Sequence, residues 1–185
     1  ASANYSEANI TTITNTGTIS TSITSVTSSI INGEGDATTA IVVQASGTGS
    51  TATLTTLNNS GTIKTVASGT GAYGVVASTG GTIATINNSG TIQAGTAAIA
   101  IASTGVIGNI NLNEGSVLIG DILSFSSTSY TLNMDVGAAK SYYVATSGTG
   151  SFTVNDLDNR PVVTGSAYAI NIGSMEMAGE NLFQK

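Results

Sequence analysis

The sequence predicts an all-β fold in the form of a parallel β-helix, and three observations lead to that class. Thr, Ser, Gly and Asn make up half of the 185 residues, and Ile and Val recur along the whole chain. β-Branched residues pack well on a pleated sheet and lose rotamer freedom in a helix. A mean hydropathy of +0.26 with only 8% charged residues argues against disorder, which is typical of apolar-poor, highly charged chains. The third observation is an internal repeat.

The clearest repeated block contains Asn two positions before a glycine and Ile or Val two positions after it. Its copies are Ile13–Ile19, Leu57–Ile63, Ile86–Ile92 and, in degenerate form, Asn113–Val117. Gly and Asn at fixed places between apolar residues are turn signals. The block therefore predicts a turn flanked by two short strands.

Two further motifs supply apolar strands between these blocks. One is found at Ala40–Gly47, Gly74–Gly80 and Ala98–Gly105, and the other at Thr53–Leu57 and Thr82–Ile86. Each unit of 25 to 29 residues then holds three short strands, a period typical of solenoids, propellers or arrays. A propeller blade needs about 40 residues, and collagen needs glycine at every third position. Three strands per rung of a parallel β-helix fit the pattern.

Equivalent side chains of such a coil stack in columns about 4.8 Å apart. We expect Ile and Val to fill the core and Asn15, Asn59, Asn88 and Asn113 to form an amide ladder at one turn. We expect the glycine two positions after each Asn to adopt a positive φ at a sharp corner. Charges are rare because stacking would bring like charges together.

The chain divides into β-helix repeats over residues 1–140 and a C-terminal cap or transition region over residues 141–185. The repeats weaken after about residue 117, and aromatic residues concentrate from Ser141 onward. Terminal repeats of solenoids are commonly atypical. The segment Ser20 to Asp36 interrupts the repeat and stretches the first interval, Gly17 to Gly61, to 44 positions.

Composition excludes several classes of function. The chain has no His and no Cys, which excludes His general bases, Ser-His-Asp triads, disulfides and zinc-thiolate sites. A net charge of −6 with four cations argues against nucleic-acid binding, which needs a basic footprint. The longest apolar run, Ala97 to Ala102, is far shorter than the roughly 20 residues of a membrane-spanning helix.

The Asn-Ser-Gly-Thr-Ile blocks and the Ala-Ile-x-Ile-Ala-Ser-x-Gly strands resemble the passenger domains of bacterial autotransporters, the type V secreted proteins of Gram-negative bacteria. The resemblance covers about residues 9–122 and extends more loosely through Asp158–Tyr168. It implies a right-handed parallel β-helix that a C-terminal β-barrel carries through the outer membrane. The long alternating strands and aromatic girdles of a barrel do not occur in this sequence. We therefore expect a passenger fragment, or a surface protein with another anchor.

These features predict a non-enzymatic stalk or adhesive module on the bacterial cell surface, without catalytic, cofactor-binding or metal-binding residues. Its partners would be a host or cell-surface protein or glycan, contacted by Ser/Thr columns or by the Ser20–Asp36 loop. The alternative role for the Ser/Thr columns is to keep the β-rich surface hydrated. Glu34-Gly35-Asp36 could contact Ca²⁺, but such sites need six or more oxygen ligands, so a solvated turn is the better interpretation.

The sequence leaves three alternative functions to compare with a stalk or adhesin. A glycosidase needs two carboxylates about 5–9 Å apart, and only two pairs are candidates: Glu114 with Asp121, and Asp156 with Asp158. Self-association into a filament or coat would use unpaired strand edges at the two ends of the coil. Ice binding would use a flat Ser/Thr array drawn from Thr16-Gly17-Thr18, Ser60-Gly61-Thr62 and Ser89-Gly90-Thr91. Self-assembly is the main alternative to a stalk or adhesin.

Overall fold

A computed structural model of the chain describes residues 6–23, 38–45, 47, 49–67, 71–135, 142–158, 162–165 and 168–171. Within these ranges the protein consists of strands joined by turns and bends, with no helix. The prediction of an all-β fold is confirmed. The strands, in chain order, are β1 (Glu7–Asn15), β2 (Thr18–Ile23), β3 (Thr38–Val43), β4 (Thr51–Asn59), β5 (Thr62–Ala67), β6 (Ala72–Ala77), β7 (Gly81–Asn88), β8 (Thr91–Ile101), β9 (Val106–Leu112), β10 (Val117–Ser124), β11 (Tyr130–Met134), β12 (Tyr142–Gly148), β13 (Phe152–Asp156), β14 (Val162–Thr164) and β15 (Tyr168–Asn171).

The first sheet consists of parallel strands in the order β1-β4-β7-β9-β11-β13. Paired positions on successive strands are 44, 29, 24, 22 and 22 residues apart. Within each pair this offset is constant, so the strands stay in register. The repeat therefore shortens towards the C-terminus and continues beyond residue 117.

The second sheet follows the path β14-β15-β12-β10-β8-β5-β2. In addition, β6 pairs with β8, and β3 pairs with β6. The first residues of β8 pair with β5 and its last residues pair with β6. The pairing of β10 with β8 shifts register between Ile119 and Ile122. Parallel pairing extends to β12, whereas β15 is antiparallel to both β12 and β14. The edge of β12 that faces away from β10 is thus paired with an antiparallel strand, β15.

The core is made of aliphatic side chains stacked from strand to strand. One column of the first sheet joins Leu57, Ile86, Ile110 and Leu132, all fully buried. Burial of each such side chain contributes about 1.5–3 kcal/mol. Because the column depends on register, each strand fixes the position of the next.

The glycines of the repeated block take two different roles. Gly115 has a positive φ of 87°, so the prediction of a left-handed corner is confirmed there, whereas Gly17, Gly61 and Gly90 are not among the glycines with positive φ and the prediction is wrong for them. A Cβ on Gly61 would overlap the carbonyl oxygen of Gly17, and a Cβ on Gly90 would overlap that of Gly61. Glycine is required there because successive turns stack backbone on backbone.

Candidate functional surface

A ladder of buried amides lies at the end of the first sheet. Asn15 Nδ2 donates to Asn59 Oδ1 at 2.8 Å, and Asn59 Nδ2 donates to Asn88 Oδ1 at 2.7 Å. These contacts confirm the predicted stacking of the three Asn side chains. The fourth predicted member, Asn113, is wrong: Asn88 Nδ2 uses its two hydrogens on Gly90 O at 2.9 Å and Ser116 Oγ at 2.6 Å. The register places Leu112 beside Asn88, which moves Asn113 into the following turn.

Tyr142 lies at the C-terminal end of this buried ladder. The Ser116 side chain hydrogen-bonds the Tyr142 hydroxyl, and Leu118 N donates to that hydroxyl at 3.0 Å. Burial raises the pKa of Tyr142, and these two hydrogen bonds oppose the rise. The ladder therefore runs from β1 to β12 and ties the two sheets together.

A second amide ladder runs along the outer face of the first sheet and was not predicted. Asn87 Nδ2 donates to Asn58 Oδ1 at 2.8 Å, Asn111 to Asn87 at 2.6 Å, Asn133 to Asn111 at 2.7 Å and Asn155 to Asn133 at 3.0 Å. Each of these residues directly follows an apolar residue. That pair of an apolar residue followed by Asn was the available signal in the sequence. It is hidden when the copies are aligned on the glycine, because the copies at Asn133 and Asn155 have no such glycine.

A column of mostly threonine lies beside this outer ladder, two residues earlier on each strand. We call the two columns together the Thr/Asn array. Each strand contributes two outward side chains that flank one inward apolar residue, as strand alternation requires. The pairs are Thr12 with Thr14, Thr56 with Asn58, Thr85 with Asn87, Asn109 with Asn111, Thr131 with Asn133, and Thr153 with Asn155.

The Thr/Asn array carries no ionisable side chain. Lys64, the one cation in the part of the chain that the structure describes, lies on β5 of the second sheet. It lines an open groove of about 470 Å³ together with Gln93, its partner on β8, with Ile119, which pairs with Gln93 from β10, and with neighbouring residues. This cation and an irregular set of outward side chains thus lie on the second sheet.

The acid pairs weighed for catalysis occupy separate kinds of position. Asp156 ends β13, and Asp158 lies in the turn that follows, so the expectation that both share one side of a strand is wrong. Asp158 N donates to Asp156 Oδ1 at 2.7 Å, which makes this carboxylate part of a turn. Glu114 lies in the turn after β9, and Asp121 lies within β10. The loop Glu34-Gly35-Asp36 lies outside the described residues.

Two features are absent from the described ranges. These ranges contain no group of three or more acidic residues placed to hold a metal ion. They also contain no helix with the length and apolar character needed to cross a membrane. No known protein family, curated protein or solved structure matches this chain.

Proposed function

We propose that this chain is a rigid rod on the bacterial cell surface, built as a right-handed parallel β-helix and serving as a stalk or adhesive passenger of the autotransporter type. The observation that carries the proposal is the first sheet. Its six strands are parallel and in register although between 22 and 44 residues separate successive partners. Strands of the second sheet lie between them along the chain, which is the connectivity of a coil.

The proposed role is non-enzymatic. The support is that the Asp156 carboxylate accepts a turn hydrogen bond from Asp158 N, and that the only polar side-chain groups of the Thr/Asn array are hydroxyls and amides. Such a surface suits contact with a host or cell-surface protein or glycan. The proposed location is extracellular, with an outer-membrane anchor in the intact protein if a barrel follows.

Surface display tests this proposal. The chain would be fused between a secretion signal and an autotransporter barrel and produced in a Gram-negative host. We expect intact cells to expose a protease-resistant fragment of the chain's size. A matched fusion carrying Ile86→Asp, which places a charge at a fully buried position, should be exposed but digested. Retention of the unaltered chain inside the cell, or its digestion at the same rate as the variant, would contradict the proposal.

Self-assembly is the second candidate, and the N-terminal end of the sheets favours it. Within the described residues β1 pairs only with β4, and the inward-facing Ile10 is 54% exposed. An opening of about 180 Å³ between β1 and β3 is lined by Ile10, Ile13 and Ile41 among others. Unpaired edges are templates for another copy. At the other end β15 and β14 run antiparallel over β12, which opposes continuation of the second sheet.

Sedimentation velocity with negative-stain electron microscopy on one sample separates the two candidates. A monodisperse particle of the formula mass supports the isolated rod and excludes assembly by the chain alone. Filaments would make assembly the function, and Ile10→Lys should then abolish them by placing a charge at the open end. Asn109→Lys, on the outer face of β9 in the interior of the first sheet, serves as the control for added charge.

A further inference from the structure

We propose that the Thr/Asn array is an ice-binding face. The proposal is independent of the cell-surface role, because it depends only on the geometry and chemistry of the outer face of the first sheet. It also differs from the sequence-based expectation of a Ser/Thr array. The residues considered there occupy two kinds of position: Thr16, Ser60 and Ser89 lie at the turns that join the two sheets, and Thr18, Thr62 and Thr91 begin strands of the second sheet.

The first argument is the two-dimensional repeat. Paired strands place equivalent side chains about 4.8 Å apart, and residues two apart on one parallel strand lie about 6.6 Å apart. The array thus has two columns of six oxygen-bearing side chains in register. The repeat of about 4.8 Å between strands is close to one repeat of water oxygens in hexagonal ice.

The second argument is rigidity. The Asn58, Asn87, Asn111, Asn133 and Asn155 side chains are joined by hydrogen bonds of 2.6–3.0 Å. Each amide nitrogen between strands then keeps one N–H for solvent, and each carbonyl keeps one lone pair. Threonine is stiff about χ1. Little side-chain entropy is therefore lost when the face orders a layer of water against a crystal.

The third argument concerns what the face lacks. Its twelve positions include no ionisable and no aromatic residue, and they lie on paired strands of one sheet. Charged polymers would find no complementary charge there. Small ligands such as single sugars are usually held in concave sites with apolar or aromatic walls. A neutral, periodic partner fits the array, and an ice surface has both properties.

The fourth argument is the contrast with the second sheet. Stacking alone does not force identical outer columns, because Ser20, Lys64, Gln93 and Ile119 occupy one such column on β2, β5, β8 and β10. The regularity of the Thr/Asn array is therefore a property of that face. The changes in repeat length, from 44 to 22 residues, also leave the array in register.

Ice adsorption and thermal hysteresis of the purified chain test this inference. We expect a measurable gap between melting and freezing points and incorporation of a fluorescently labelled chain into a growing ice hemisphere. Thr85→Lys, in the middle of the array, should abolish most of both effects. Thr91→Lys is the matched control: the same substitution six residues later, on β8, at an outward, half-buried position of the second sheet.

Asn109→Lys provides a second test at an exposed array position, where folding should tolerate the longer side chain. Circular dichroism would confirm that each variant is folded. The inference is overturned if the unaltered chain neither adsorbs to ice nor shows hysteresis, or if Thr91→Lys loses as much activity as the array variants. Retention on insoluble cellulose or chitin without ice adsorption would also overturn it, and would identify the face as a polysaccharide site.

Discussion

Replacing Asn59 with alanine should destabilise the protein far more than replacing its neighbour Asn58. Asn59 is 2% exposed and makes three hydrogen bonds: it accepts from Asn15 Nδ2 and donates to Asn88 Oδ1 at 2.7 Å and to Thr91 O at 3.2 Å. Alanine removes all three at once. It leaves the Asn88 and Thr91 oxygens without these donors inside the structure.

The magnitude follows from the number of bonds and from burial. A hydrogen bond contributes about 1 kcal/mol net, and a buried partner left unsatisfied costs about 1–3 kcal/mol. Three bonds in a buried ladder therefore predict a loss of about 3–5 kcal/mol for Asn59→Ala. Asn58 lies on the outer face, where it accepts from Asn87 Nδ2 and where water can replace the lost bond. We expect Asn58→Ala to cost about 1 kcal/mol or less.

Urea unfolding followed by far-ultraviolet circular dichroism measures both free energies on matched samples. The two variants differ by one position and remove the same atoms, so composition and chain entropy are controlled. The reasoning is refuted if the two losses agree within experimental error. It is also refuted if Asn58→Ala is the more destabilising change, since the outer ladder would then bear the stability assigned to the inner one.

Three further changes test the packing and the titration behaviour. Gly61→Ala should strongly reduce the midpoint of urea unfolding because its Cβ would overlap the Gly17 carbonyl, whereas Gly17→Ala meets no atom within 4 Å and should have little effect. Ile86→Ala, at a fully buried position, should cost about 2–5 kcal/mol, and Ile10→Ala, 54% exposed, under about 1 kcal/mol in the same assay. Burial raises the pKa of Tyr130. The folding stability linked to this shift is fully present below the pKa of about 10 in the unfolded chain, and it is lost as pH rises above that value. The midpoint of thermal unfolding of Tyr130→Phe should therefore fall less steeply with rising pH above that value than the midpoint of the unaltered chain. An equally steep fall in both proteins would exclude Tyr130 as the source of the alkaline loss of stability.

The stacking of Asn15, Asn59 and Asn88 could be predicted because the three lie in near-identical copies of one short block. Asn113 could not be placed correctly in the same way. Its copy is degenerate, and alignment on the following glycine shifts it by one position relative to the strand register, which pairs Leu112 with Asn88. A one-residue shift moves every side chain to the other face of a strand, so a single ambiguous position changed the predicted ladder member.

The outer ladder and the threonine column could have been predicted from the sequence, but they were not. Asn133 and Asn155 lie where the glycine-containing block has disappeared, so the repeat appeared to weaken after residue 117. The structure has β11 and β13 in register with β9. Alternation about the buried Leu132 and the half-buried Val154 is what preserves the outward Asn positions.

The all-β class, the approximate period and the inner residues of the repeat could be predicted from the sequence, because β-branched content and turn residues act locally. Which copies lie beside one another, and which residues share the outer face, could be learned only from the fold. It also assigned Gly61 and Gly90 their steric role. These properties arise from register between strands 22 to 44 residues apart, and register is set by how the buried side chains of one strand pack on the next.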